Sequence, residues 1–184
     1  MPAATAQDLV RIGVKLYAEN PEAIDLESYI GLFHGWIQRR ELPGLPIDVA
    51  DYQHVPDGPG VMLIGHEADR AIDLDEGRPG ALYQRKRDLA GSLRERFRAV
   101  LEAAEQTASL IEAEPAANGV RFSRDEFQVR LQDRLAAPND EATLELLRPD
   151  LEAALGDVYP GRSFRIEWIE RDPRAPFAAR VTLA

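Results

Sequence analysis

The sequence predicts an α+β fold: mostly antiparallel sheet with three main helices, in the order β-α-β-β-β-α-β-β-α-β-β. Three observations lead there. Short segments alternate apolar and polar residues at the period of a half-buried strand. Longer segments repeat apolar residues at the helical period. The connections are mostly hairpin-sized, and regular βαβ alternation is absent.

Residues 9–18 set the strand pattern, with Val10, Ile12, Val14 and Leu16 on one face and Arg11 and Lys15 on the other. Asn20-Pro21 ends it. Asp25 can cap a helix from Leu26 to Arg40, striped by Leu26, Ile30, Phe33 and Ile37 with Tyr29 and Trp36 beside them. Two short strands follow, Ile47–Tyr52 and Val61–Gly65, around the turn-rich Pro56-Asp57-Gly58-Pro59-Gly60. An acidic stretch from Glu67 to Glu76 leads to a strand at Ala81–Gln84. Asp88 is placed to cap the longest helix, carried by Leu89, Leu93, Phe97, Val100, Ala104 and Ile111.

Beyond Glu114-Pro115-Ala116-Ala117-Asn118-Gly119, residues 120–122 and 127–131 read as a hairpin turning at Ser123-Arg124-Asp125. Asn139 is placed to cap a third helix, striped by Leu144, Leu147, Leu151, Leu155 and Val158, in which Pro149 predicts a kink or a break. Two strands close the chain, carrying Phe164, Ile166 and Trp168, then Phe177, Ala179, Val181 and Leu183. One α+β domain over 1–184 follows, with lobes 1–113 and 119–184 joined by 114–118 as its natural subdivision.

Composition narrows the functions. The chain has 184 residues, 22 basic and 32 acidic, for a net charge of −10. That balance argues against nucleic acid and anionic membrane surfaces, both of which need a positive field. Zero cysteines exclude thiol catalysis, Cys-based zinc sites and iron–sulfur ligation. No apolar run approaches the roughly 18 residues of a membrane span, and Met1 to Asp8 lacks signal-peptide character. A cytoplasmic setting is the expectation. The charge is uneven: residues 1–84 hold 6 basic and 14 acidic side chains and all three histidines, so this half is where a site is to be sought.

Standard signatures are missing. There is no phosphate loop, Gly58-Pro59-Gly60 precedes a strand rather than opening a helix, and no serine sits in G-x-S-x-G. Counted from Asp73, a calcium loop would need its glycine at Arg78 and its closing glutamate at Gln84, which fails. What remains is a polar segment containing Asp48, Asp51, His54, Asp57, His66 and Glu67. Imidazole beside carboxylate is raw material for general acid–base chemistry or for metal binding. Hairpin geometry separates the histidines, however. Five residues of strand at ~3.3 Å each put His54 and His66 about 17 Å apart, too far for one metal ion. The same hairpin is expected to bring Asp48 toward His66 and Glu67, and His54 toward Asp51 and Asp57. No metal site and no cofactor is assigned.

His34, at the edge of its helix's apolar stripe, reads as a partly buried structural histidine. Arg85, Arg87, Arg94 and Arg98 belong to the one basic concentration and are the candidates for anion binding. A solvated face, or pairing with the acidic stretch 67–76, is the alternative reading. The runs Asp48 to Val61, Gly65-His66-Glu67 and Asp133-Arg134-Leu135-Ala136-Ala137-Pro138-Asn139 resemble a family of small bacterial proteins with no assigned function. The resemblance implies a bacterial cytosolic setting and a single integrated unit, and carries over no catalytic residue.

The reading that follows is a non-catalytic binding or protein-interaction module, with a second copy or another protein as partner and neither nucleic acid nor membrane. The alternative is a hydrolase-type enzyme, metal-dependent in one version, using the His/carboxylate segment 48–67.

Overall fold

In a computed structural model, Leu9, residues 11–56 and residues 58–184 are described. Residues 1–8, Val10 and Asp57, which figure in the expectations above, lie outside that set. The architecture is α+β. Among the described residues, eight strands form one antiparallel sheet: β1 (Ile12–Ala18), β2 (Pro46–Tyr52), β3 (Gly60–Gly65), β4 (Ala68–Asp73), β5 (Gly80–Arg85), β6 (Phe122–Leu131), β7 (Phe164–Trp168) and β8 (Phe177–Leu183). Their spatial order is β2-β3-β4-β5-β1-β6-β8-β7. β1 pairs with both β5 and β6, so the sheet runs unbroken across 114–118.

The helices are α1 (Leu26–Arg39), α2 (Leu93–Ala113) and α3 (Glu141–Val158). α1 packs on β2 and β3, α2 on β5 and β1, and α3 on α2 and β7. One apolar cluster joins Ile12, Val14 and Leu16 of β1 and Phe127, Val129 and Leu131 of β6 to Phe33, Phe97 and Leu151 of the helices. Period-two alternation therefore turns Gly13, Lys15 and Tyr17 to the opposite face, where no helix of the described residues packs. Among the described residues, no helix is long and apolar enough to cross a membrane.

Several elements differ from expectation. The acidic stretch contains a strand, β4, because Ala68, Arg70 and Ile72 face the helices and Asp69, Ala71 and Asp73 face away. An arginine in the buried set hides that alternation. Residues 122–131 are one strand rather than a hairpin. The register against β1 shifts between Leu16↔Phe127 and Ala18↔Phe122, with the surplus residues on β6, and Arg124 is held by Glu105 and Glu112 of α2 instead of turning the chain.

α2 starts at Leu93, not after Asp88. Ser92 accepts from the Glu95 amide while the Glu95 carboxylate accepts from the Ser92 amide, a capping box. Asp140, not Asn139, caps α3 by accepting from Thr143 N at 2.8 Å. α3 then continues through Pro149 without a break. On α1 the buried side chains are Tyr29, Leu32, Phe33 and Trp36, so the stripe is rotated from the one expected, and His34 is exposed.

Candidate functional site

The β2–β3 hairpin forms, in a register that does not bring Asp48 to His66. Asp48 pairs with Ile64 and Tyr52 with Gly60, while Pro46 pairs with Gly65 across a bulge. His54 and His66 thus sit at opposite ends of the hairpin, and both are exposed. Asp48 does not reach His66. Its Oδ1 accepts from Val49 N at 2.8 Å, covering an edge-strand amide. Asp51 Oδ1 likewise accepts from Gln53 N at 2.9 Å rather than serving His54. His66 Nδ1 does lie 3.3 Å from Glu67 Oε1. Among the described residues, no three His, Cys, Asp or Glu side chains converge in a way that could hold a metal ion.

The four arginines divide. Arg85 ends β5 and Arg87 lies in the connection before α2, where its Nε donates to His66 O at 3.2 Å. Arg94 forms a bidentate pair with Asp157 of α3, at 2.6 and 2.8 Å, and Arg98 lies 3.9 Å from Glu102. Since the helix begins at Leu93, Arg87 shares no helical face with Arg94 and Arg98. The acidic stretch does not pair with that helix either. Its Asp69 takes Lys86, while Asp73, Asp75 and Glu76 turn onto the open face of the sheet.

There they meet charges that alternation placed on that face but that polarity assigned to solvent. Lys15 is 0% exposed. Its Nζ donates to Asp73 Oδ1 at 2.6 Å and to Asp75 O at 2.8 Å. Arg130 of β6 grips both Asp73 oxygens, at 3.0 and 3.1 Å, and donates from Nε to Gln128 Oε1 at 2.9 Å. Gln128 Nε2 donates to Glu76 Oε2 at 3.1 Å. Arg171, from the β7–β8 connection, pairs with Glu76 and donates to Asp75 Oδ2 at 2.9 Å, closing a ring of charges. Glu76 adopts φ 66°, a left-handed conformation costly for a non-glycine and held here by these partners.

Burial pushes the Lys15 ammonium pKa down against the opposing pull of Asp73. Burial alone would raise the Asp73 carboxyl pKa, but Arg130 and Lys15 outweigh it and hold the group below the usual carboxylate range. Burial, and then Glu76, push the Tyr17 phenol up.

The ring borders a concavity of about 370 Å³. Asp69, Gln84 and Gln132 add polar lining, and Met62, Leu82 and Pro176 apolar lining. Gln84 is 3% exposed, and its Oε1 has no hydrogen-bond partner. Arg171 Nε is likewise buried and unpartnered. A Cβ at Gly13 would collide with the Gln84 amide, so that glycine makes room for this side chain.

Lys15, Asp73, Arg130 and Arg171 were not candidates from sequence. One signal could have found them: Lys15 is one of only two lysines, set mid-strand among apolar residues. No family model, curated protein or solved structure matches the chain.

Proposed function

We propose that the protein is a non-catalytic binding module that takes up a small polar molecule in the concavity on the open face of its sheet. The observation that carries this reading is the buried ring of Lys15, Asp73, Arg130 and Arg171 beside that space. Buried ion pairs are poor stabilisers compared with packed apolar side chains, so their retention beside a concavity favours a role in binding. The space falls within the roughly 300–1,000 Å³ of small-molecule sites. The spare acceptor on Gln84 and the spare donor on Arg171 suit a ligand that both donates and accepts, such as a zwitterion or an amide. The main charged groups of the ring are already engaged with one another, which favours recognition over proton transfer.

Amide NMR spectra recorded with millimolar L-alanine, propionamide and propylamine test it. The zwitterion or the amide is expected to shift Leu82, Gln84 and Arg130, and Ala175→Trp, which fills the rim, is expected to abolish the shifts. Silence at these residues with all three probes would defeat the reading.

A protein partner is favoured by a separate observation. Leu135 is 99% exposed and, with Leu146 of α3, lines an apolar surface that includes Ala136 and Pro138. A second copy seated there predicts a sedimentation mass that rises with concentration and returns to one chain in Leu135→Asp. A mass of one chain at every concentration would contradict it.

A further inference from the structure

The helix-covered face of the same sheet holds a charge that, among the described residues, forms no ion pair. Arg70 lies mid-β4 between Ala68 and Ile72, both members of the apolar core, and is 6% exposed. Its Cζ lies 5.2 Å from the centroid of the Tyr83 ring, and its Nε is buried with no hydrogen-bond partner. Among the described residues, no carboxylate pairs with it. Asp69, the adjacent acid, faces the other way, where it takes Lys86 Nζ at 2.8 Å and Gly65 N at 3.1 Å.

A buried lysine or carboxylate can escape its cost by becoming neutral. A guanidinium cannot, because arginine keeps its proton at any ordinary pH. An unpaired buried charge is costly, and an aromatic face offsets only part of that cost. Arg70 is therefore suited to an anionic ligand.

Space for one lies beside it. A cavity of about 120 Å³ is lined by Arg70, Tyr83, Arg85, Glu67 and the connector residues Pro43 to Pro46. A cavity of about 150 Å³ is known to hold a benzene ring, so this one has room for one small organic acid. Arg85 stands diagonally across from Arg70, since Ala68 pairs with Arg85 and Arg70 with Tyr83. Its Nε and Nη2 are braced on the carbonyls of Arg87 and Asp88, at 2.9 and 3.3 Å.

Glu67 is the one carboxylate in the lining, and it is turned to the roof. Its Oε2 accepts from Leu45 N at 3.1 Å, and its Oε1 faces His66. Gly44, at φ 85°, lets that roof close, because a Cβ there would stand 2.7 Å from Glu67 Oε2. The rim outside is apolar, with Pro43, Pro46 and an exposed Leu45.

We propose that this cavity is an anion site in which Arg70, assisted by Arg85, binds the carboxylate of a small aliphatic acid whose tail rests on Pro43, Leu45 and Pro46. The acid supplies the counter-charge that Arg70 lacks, through a planar two-oxygen contact matched to the guanidinium fork. Glu67 sets the selectivity. A monoanion fits beside its carboxylate, whereas the second charge of phosphate is repelled. The apolar rim also gives nothing to a fully hydrated ion. This site lies on the other face of the sheet from the concavity above, and either can hold without the other.

Calorimetric titration with sodium propionate and with inorganic phosphate, at matched ionic strength, tests the proposal on the full chain. Propionate is expected to bind, to raise the unfolding temperature and to shift the Arg70 Nε–H resonance, while leaving Gln84 unmoved. Arg70→Met should weaken propionate binding about tenfold or more. Without acid present, that variant should melt at or above the parent temperature, because the unpaired charge is gone. Should Arg70→Met fail to fold, Arg85→Gln and the Arg70 Nε–H signal of the parent read the same site, with weaker propionate binding expected in Arg85→Gln. Tighter binding of phosphate than of propionate would overturn the ligand class. No response of the Arg70 signal to either anion, or a signal that moves in Glu67→Gln as though Glu67 already served Arg70, would overturn the site.

Discussion

Replacing Asp73 by asparagine is expected to lower the unfolding free energy by about 3–5 kcal/mol, a large part of the roughly 5–15 kcal/mol available to a domain of this kind. The variant keeps the shape of the side chain and removes the one anion shared by two buried cations. The amide oxygen can still accept from one cation, but no charge remains between them; Lys15 keeps the Asp75 carbonyl, and Arg130 keeps Gln128 and a distant Asp75 carboxylate at 3.8 Å. The two cations would then repel each other without a mediator. Urea unfolding of parent and variant measures the loss, and a change under about 1 kcal/mol would mean that water or another group already screens them.

The pH dependence has a definite sign. With Asp73 held below its ordinary value, its contribution is complete above the unfolded-state pKa of about 3.9 and is lost as pH falls through the folded-state value. The parent should therefore lose stability below about pH 4, and Asp73→Asn should lack that part of the acid slope. Lys15 acts at the alkaline end. Its folded-state pKa is lowered by burial, so stability rises with pH between that value and the unfolded-state value of about 10.4.

Trp36→Ala is expected to cost about 3–5 kcal/mol through lost burial and the cavity left behind. Trp36 is fully buried on α1, with its ring centroid 5.4 Å from that of Phe33. Its Nε1 donates to Glu114 Oε1 at 2.6 Å, and the same oxygen accepts from Arg39 Nη2 at 2.7 Å. Glu114 ends α2, so this one side chain fastens α1 to the segment that leads into β6. Trp36→Phe, which keeps most of the packing, isolates the hydrogen bond and should cost about 1 kcal/mol. A Trp36→Ala loss no larger than that of Trp36→Phe would show that α1 contributes little packing to the core.

The fold class was legible because most strands and helices bury apolar residues at a clean period. Val14 and Leu16, or Phe177, Ala179 and Val181, leave no ambiguity about their face. β4 was not legible, since Arg70 occupies a core-facing position where the pattern needs an apolar residue. The same substitution of charge for hydrophobe concealed the sites. Lys15 was assigned to the correct face of β1, but nothing local reveals that the connections carrying Asp75 and Arg171 cover that face. Its carboxylate partner Asp73 lies 58 residues away along the chain, and Arg130, which shares that carboxylate, lies 115 away. The histidines drew attention because imidazole is chemically versatile, yet His54 and His66 are held apart by the strand length between them. Chemistry-bearing residue types point to residues 48–67, whereas the buried charges of the ring lie outside that segment, in both halves of the chain.

On the proposed function, the buried ring on the open face is retained for a ligand and not for the fold. The unfolding free energy of the triple variant Lys15→Met, Asp73→Leu, Arg130→Met decides between the two, because the three most buried charges leave together while Arg171 keeps Asp75 and Glu76. A ring kept for a ligand predicts a triple variant as stable as the parent or more so, in contrast to Asp73→Asn. A triple variant that loses as much stability as Asp73→Asn would make the ring a structural element and contradict that role.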